Sequence, residues 1–189
     1  MTAIANQVSI AIENARLFQQ THSRAEELLA ANDIASAINS TLNFDQVLNV
    51  FFDRLNALFN VEAGSLVLLD PATNELVFEV VHGGAGASLV GKRMPSDQGI
   101  VGWVTTNRES VLVSDVSKHA RWFKEFDQKT QFITHSILAA PIMIGGRTIG
   151  AVELINRRDG ALFSDANRIL LEMFARSAGI AIEIGRAHV

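Results

Sequence analysis

Apolar residues near the start of the chain recur at alternating intervals of four and three positions. This spacing is the heptad pattern of a helix that packs along a partner, with one polar interruption at His22. The seam positions are Ile4, Val8, Ala11, Ala15, Phe18, His22, Ala25 and Leu29. The pattern predicts a long helix in a parallel homodimer; an amphipathic helix packed on its own domain is the alternative.

A second helix is predicted to begin at Asn43, where the side chains of Asn43 and Gln46 can cap each other's backbone N–H groups. Its buried side comprises Val47, Leu48, Phe51, Leu55, Leu58 and Phe59. After Val61 the apolar pattern favours strands, which are predicted at 65–69, 75–81, 111–113, 137–144 and 148–155. The first two strands form a hairpin through a turn at 70–74, and the last two meet at Gly145 and Gly146.

Shorter helices are predicted around 99–106 and 120–129, and Ser164 is predicted to cap a closing helix. The resulting order is two helices, a hairpin, a mixed segment, a second hairpin and a last helix. Strands and helices do not alternate regularly, so the order predicts an α+β fold with an antiparallel sheet.

Length and composition limit the classes of protein that this chain can belong to. Its 189 residues, 48% hydrophobic, suffice for about one domain with a real core. A net charge of −4 without a basic cluster argues against nucleic-acid partners, and the absence of cysteine excludes disulfides and thiol nucleophiles. The longest uncharged run, 130–146, is shorter than the ~20 residues of a membrane span, so a cytoplasmic location is expected.

Five residues near the start of the chain reappear 170 positions later in the same order. They are Ala5, Ile10, Ala11, Ile12 and Glu13, which match Ala175, Ile180, Ala181, Ile182 and Glu183. The repeat predicts that residues 1–32 are a signalling helix at the end of a preceding domain and that 33–183 form the next domain. Residues 184–189 resemble a translated sequencing adapter and are interpreted as a read-through artefact.

One polar stripe is a candidate ligand-binding feature. Phe123, Asp127, Thr130 and Thr134 follow each other at helical spacing, among large apolar neighbours. Polar groups held near an apolar surface need partners, which a polar ligand can supply. A half-exposed helix with no ligand is the alternative.

Three further motifs make a family resemblance recognisable over residues 33–182. They are Ser65-Leu66-Val67-Leu68-Leu69-Asp70, Asp97-Gln98-Gly99-Ile100-Val101-Gly102 and Ser136-Ile137-Leu138-Ala139-Ala140-Pro141-Ile142, together with 127–134 and 153–157. With them the chain resembles GAF domains, in particular those of cyclic-nucleotide phosphodiesterases and cyanobacterial-type adenylyl cyclases. The resemblance implies a central antiparallel sheet of five to six strands, with the terminal helices on one face and short helices forming a ligand lid on the other.

The resemblance also implies a set of ligand-binding positions. These are Ser65, Val81 and His82 on the first hairpin, Ile100 and Val101 at a helix start, Phe123, Asp127, Thr130 and Thr134 on the lid, and Glu153 on a central strand. The resemblance implies cyclic AMP or cyclic GMP as the ligand. These residues suit it, because a helix N-terminus can hold a phosphate and hydroxyls and carboxylates can pair with ribose and base edges.

A supporting motif of this subgroup is only half kept. Asn156, Arg157 and Phe163 occupy its first three places, but Asn167 and Arg168 replace its acidic pair. Arg157 and Asn167 therefore cannot form an ion pair, although one hydrogen bond between them remains open.

The sequence as a whole predicts a bacterial regulatory module that senses a small molecule and relays its occupancy through dimeric flanking helices to an output domain elsewhere. Two alternatives remain: a ligand-free dimerisation scaffold, or a sensor of another aromatic or haem-like ligand. The five histidines show no metal-ligand spacing, and no catalytic motif is recognisable, so neither a metal nor an enzymatic activity is expected.

Overall fold

The computed structural model describes residues 44–83, 86–121 and 132–187. Three features predicted from the sequence lie outside these residues: the heptad helix at 4–29, the cap at Asn43 and most of the helix at 120–129.

The described residues contain three α-helices and six strands. The helices are α1 (Phe44–Phe59), α2 (Gly99–Asn107) and α3 (Asp165–Ala187). The strands are β1 (Val61–Asp70), β2 (Glu75–His82), β3 (Arg93–Pro95), β4 (Val111–Val113), β5 (Ile137–Ile144) and β6 (Arg147–Arg157). They form one antiparallel sheet in the order β3-β2-β1-β6-β5-β4, which confirms the predicted α+β class.

Local signals explain several element boundaries. Gly145 and Gly146 both have positive φ angles (53° and 79°) in the predicted turn between β5 and β6. Ser164 and Asn167 cap α3 reciprocally: Ser164 N donates to Asn167 Oδ1 (3.0 Å), and Asn167 N donates to Ser164 Oγ (3.3 Å). The predicted hairpin turn and helix cap are therefore confirmed.

Strand β3 has no counterpart among the strands predicted from the sequence. Arg93 attaches it to the β1–β2 hairpin, because Arg93 Nη1 donates to Asp70 Oδ2 (2.8 Å) and Glu75 Oε2 (3.1 Å). The Arg93 hydrogen bond lowers the pKa of the Asp70 carboxyl. Arg93-Met94-Pro95 lacks the β-branched apolar run that signalled Val111–Val113, so tertiary contacts decide this strand.

Helices α1 and α3 pack together on one face of the sheet. The Phe51 and Phe174 rings are 6.1 Å apart, and a Cβ at Gly179 of α3 would lie 2.6 Å from the Met143 carbonyl oxygen of β5. Helix α2 lies on the other face, where Ile100, Val101 and Val104 pack in one cluster with residues of β1, β5 and β6. The sheet therefore separates a helix-pair face from an α2 face.

Candidate functional site

A row of directly paired residues crosses the α2 face of the sheet. Val81 of β2 pairs with Ser65 of β1, Ser65 pairs with Glu153 of β6, and Glu153 pairs with Ala139 of β5. Directly paired residues in antiparallel strands share a face. The register therefore brings three predicted ligand-binding residues, Val81, Ser65 and Glu153, side by side.

Ser65 is the most unusual member of this row. Its side chain is only 4% exposed, and among the described residues its Oγ has no hydrogen-bond partner. Its surroundings on this face are apolar and include Val67, Phe78 and Val81. A buried hydroxyl without a partner destabilises the fold by about 1–3 kcal/mol. The Ser65 hydroxyl is thus available to a ligand or to water.

Helix α2 presents its first turn on the same side of the sheet. Ile100 and Val101 are buried in the α2-face cluster, and Gln98, which precedes the helix, makes no side-chain cap. Gly102 is required here because a Cβ would lie 2.7 Å from the Asp97 carbonyl carbon. An uncapped helix start with backbone N–H groups favours anions.

His82 does not join the predicted site. Its ring stacks on Phe52 of α1, with centroids 4.9 Å apart, and its Nδ1 lies 3.6 Å from Asp53 Oδ1. Successive strand residues point to opposite faces, so His82 lies on the helix-pair face when Val81 lies on the α2 face. Its partner Gly64 leaves space for the Phe52 ring, since a Cβ there would lie 2.6 Å from that ring. The His82 side chain therefore lies on the face opposite to Val81, Ser65 and Glu153.

Thr134 is buried in the segment that leads into β5, and Asn156 holds that segment. Asn156 Oδ1 accepts from His135 N (2.8 Å) and Ser136 N (3.1 Å). Asn156 Nδ2 donates to Ile133 O (2.8 Å) and to Glu62 Oε2 (2.9 Å). The predicted motif residue Asn156 therefore contacts the backbone on both sides of Thr134.

The rest of the half-kept motif joins β6 to the start of α3. Arg157 Nη1 donates to Asn167 Oδ1 (3.3 Å), which is the single hydrogen bond that the sequence left open. Arg157 also pairs with Asp159, and this hydrogen bond lowers the pKa of the Asp159 carboxyl. Phe163, the third motif residue, lies between Asp159 and Asn167 in the sequence, and its side chain is buried. Arg157 therefore forms its ion pair with Asp159, two residues along the chain, and not with an acidic residue on α3.

Three of the predicted lid residues, Phe123, Asp127 and Thr130, lie outside the described residues. The described part of the chain ends before them at Arg121, whose guanidinium lies 5.3 Å from the centre of the Trp103 ring of α2. This cation–π contact was not expected from the sequence, since nothing in the spacing links the two residues.

A separate surface cavity of about 480 Å³ contains none of the predicted ligand-binding residues. It is lined by Leu69, Asn74, Pro95, Ser96, Asp97, Thr105 and Thr106. Within residues 44–83, 86–121 and 132–187, no group of three or more His, Asp or Glu side chains is arranged to hold a metal ion. No helix in this part of the chain is long and apolar enough to cross a membrane.

Residues that sequence reasoning missed are held by long-range contacts. Glu62 meets Asn156, which is 94 positions away in the chain, and Ser110 Oγ donates to Glu172 Oε1 across 62 positions. No local pattern connects such pairs, so the sequence alone offered no signal for them.

A six-stranded antiparallel sheet with two packed helices on one face and a short helix on the other defines an α+β domain. The GAF-domain family model matches residues 41–183. The chain belongs to the GAF domain family, whose members are regulatory small-molecule-binding domains.

Relatives and solved structures agree with this assignment. The chain is 26% identical over 166 residues to the probable 3',5'-cyclic phosphodiesterase pde-5 of Caenorhabditis elegans, covering 82% of this chain and 23% of the relative. It is 29% identical over 90 residues to the cone cGMP-specific 3',5'-cyclic phosphodiesterase subunit alpha' of Mus musculus, covering 48% of this chain and 10% of the relative. The chain thus spans a quarter or less of these curated relatives.

The fold is also similar to the GAF domain from Acinetobacter phosphoenolpyruvate-protein phosphotransferase. The TM-score is 0.71 at 22% identity, and the match covers 86% of this chain and 96% of that one. At this identity the likeness establishes the fold alone.

Proposed function

We propose that this GAF domain is a regulatory sensor that binds a cyclic nucleotide, or a similar small polar ligand, on the α2 face of its sheet. The observation that carries the proposal is the Ser65–Glu153 pair, in which a buried hydroxyl without a partner lies opposite a carboxylate. The names of the curated relatives, which act on 3',5'-cyclic nucleotides, support this ligand class.

Charge decides how such a ligand lies in the site. The phosphate is repelled by the Glu153 carboxylate and attracted by the uncapped start of α2 near Ile100 and Val101. The base or ribose then lies over the sheet, where Ser65 can donate or accept and Glu153 can accept. Val81 supplies apolar contact, and Phe123, Asp127, Thr130 and Thr134 complete the proposed site from the lid side.

Calorimetry with cyclic AMP and cyclic GMP tests this proposal directly. We expect binding of one or both, at least about tenfold weaker binding by Ser65→Ala and Glu153→Gln, and little change with His82→Asn, whose side chain faces α1. Loss of binding in His82→Asn with full binding in Ser65→Ala would place the ligand elsewhere. No heat with either nucleotide would overturn the proposed ligand class.

If neither cyclic nucleotide binds in the calorimetry, two other functions come into consideration. Visible absorbance by the purified protein would indicate the haem-like or aromatic ligand. Absence of both heat and absorbance would favour the ligand-free scaffold, which the buried side chains of Ile100 and Val101 also suit.

The assembly part of the proposal is a homodimer through the flanking helices. Ile180 is 62% exposed and Ile169 is 53% exposed on α3. Leu58 was predicted on the buried side of α1, but it is 53% exposed. These exposed apolar side chains on the helices are available to a second copy of the chain. Light scattering of the full chain is expected to give a dimer mass, and a monomer at all concentrations would contradict this part.

The domain arrangement is proposed from the repeat with a period of 170 residues. Ala175, Ala181 and Ile182 are buried in α3, while Ile180 is exposed. Their counterparts Ala5, Ala11, Ile12 and Ile10 fit a tandem arrangement in which 1–32 end a preceding domain and 33–183 form this one. We also propose a regulatory rather than catalytic role, a bacterial source, a cytoplasmic location, an output domain elsewhere, and residues 184–189 as an artefact.

A further inference from the structure

Asn156 adopts a left-handed backbone conformation, which is uncommon for residues other than glycine. Its φ angle is 48°, in the left-handed region, and its side chain is only 4% exposed near the end of β6. Asparagine enters this region more readily than most residues, but strained backbone persists only where its surroundings hold it. The side-chain contacts of Asn156 supply that hold.

The carboxamide of Asn156 uses all of its hydrogen-bonding capacity. Its oxygen accepts from His135 N and Ser136 N, and its nitrogen donates to Ile133 O and Glu62 Oε2. In addition, Asn156 N donates to Ser136 O (3.1 Å). The backbone before and after Thr134 is therefore tied to one side chain of β6.

Glu62 and three backbone groups together determine which way round the Asn156 carboxamide lies. In a flipped carboxamide, the NH2 group would face two backbone N–H donors, and the oxygen would face the Ile133 carbonyl and the Glu62 carboxylate. All four contacts would then repel. Glu62, which no sequence pattern indicated, therefore reinforces the orientation that holds 133–136.

The same two strands carry this pair and the proposed binding pair. Ser65 of β1 pairs with Glu153 of β6. Glu62 lies three residues before Ser65 on β1, and Asn156 lies three residues after Glu153 on β6. Both lie between the pairs Val61–Arg157 and Ala63–Ile155. We propose that Glu62 and Asn156 are positioning residues that hold Thr134 at a fixed place relative to the Ser65–Glu153 pair, and so set how long a ligand stays bound. The ligand part of this inference rests on the proposed function.

Amide hydrogen exchange followed by NMR tests the positioning role without any ligand. In Asn156→Gly, which tolerates the positive φ angle, the His135 and Ser136 amides lose their acceptor, and we expect them to exchange at least about tenfold faster. Glu62→Ala should accelerate them less, and Glu62→Gln should resemble the wild type because its amide oxygen can still accept from Asn156. The control Ser164→Ala removes a cap on α3 and should leave both amides unchanged.

Stopped-flow dissociation of a bound cyclic nucleotide tests the consequence. We expect the cyclic nucleotide to dissociate at least about tenfold faster from Asn156→Gly and about threefold faster from Glu62→Ala. From Glu62→Gln it should dissociate at the wild-type rate. If Asn156 acts through Thr134, the effects of Asn156→Gly and Thr134→Val should not add. Asn156→Asp keeps an oxygen that accepts from His135 N and Ser136 N, but it places a second carboxylate against Glu62, so its ligand should also dissociate faster.

The outcomes separate the two proposals. Binding by the wild type with unchanged dissociation in Asn156→Gly and Glu62→Ala would overturn the positioning role. The positioning role would also be overturned if the His135 and Ser136 amides exchanged as slowly in Asn156→Gly as in the wild type. If the wild type binds neither cyclic nucleotide, the proposed function fails, and exchange alone decides whether the pair positions the segment.

Discussion

The two faces of the sheet carry different kinds of side chain. On the helix-pair face, large apolar groups such as Phe52, Leu55 and Leu154 are 0% exposed and fill the space under α1 and α3. The α2 face carries the small residues Ala139 and Ala151 and the polar Ser65 and Glu153. Large side chains fill the first interface, whereas the second includes small residues and the buried Ser65 hydroxyl, which has no partner among the described residues. Packing on the first face stabilises the fold, and the proposed ligand site lies on the second.

The largest effect is expected on the helix-pair face. Phe52→Ala removes a ring that is 0% exposed, stacks on His82 and sits over Gly64, so the free energy of unfolding should fall by about 3–5 kcal/mol. Urea denaturation measures this. Val67→Ala, a fully buried change on the α2 face, is the control and should cost less because it removes fewer atoms. A loss below about 1 kcal/mol for Phe52→Ala would contradict the division between the faces.

A smaller effect, of opposite sign, is expected within the α2 face. Ser65→Ala removes a buried hydroxyl without a partner, so the free energy of unfolding should stay equal or rise by about 1 kcal/mol, while ligand affinity falls. Thr105→Val is the matched control, since the Thr105 hydroxyl donates to Val101 O at 2.8 Å and its removal should destabilise by about 1 kcal/mol. Equal destabilisation by both variants would show that Ser65 is hydrogen-bonded in solution.

The smallest effect on stability is expected from protonation of Asp115, at the edge of the α2 face. Asp115 caps the short turn Val116–Lys118. Hydrogen bonds from Ser117 and Lys118 lower the pKa of the Asp115 carboxyl to about 2. A lowered folded-state pKa means that the contribution to stability is present above the ordinary value of 3.8 and is lost as the pH falls toward about 2.

NMR titration of the Asp115 carboxyl checks this prediction. In Ser117→Ala the Asp115 pKa should rise toward its ordinary value, because the largest cause of the shift is removed. An unchanged pKa in this variant would mean that Lys118, 2.9 Å from the carboxylate, is the main cause.

Much of the fold was predictable because its signals are local. Apolar spacing located α1 and both hairpins, and Ser164 marked the start of α3. The start of β1 was predicted four residues late, since Val61 to Gly64 continue directly from the turn at Asn60, whose φ angle is positive. Strand β3 was missed because Arg93, rather than any alternation of apolar residues, joins it to the sheet.

The binding positions were predicted less completely. Resemblance named Ser65, Val81 and Glu153, and the strand register brings them together on one face. It also named His82, whose side chain lies on the other face because neighbouring strand residues alternate. Nothing in the sequence pointed to Glu62, whose carboxylate accepts from Asn156, 94 positions away in the chain.

The sequence by itself determined where the three described helices and five of the six strands lie, where two of the turns and the α3 cap lie, and which family the chain resembles. Periodicity, glycines and capping residues act over a few positions, so these features are local. Only the tertiary structure decided that Ser65 meets Glu153, that His82 turns toward Phe52, and that Asn156 ties Glu62 to the backbone around Thr134. Those contacts depend on strand register and on which face each side chain occupies, and both are settled when distant parts of the chain pack together.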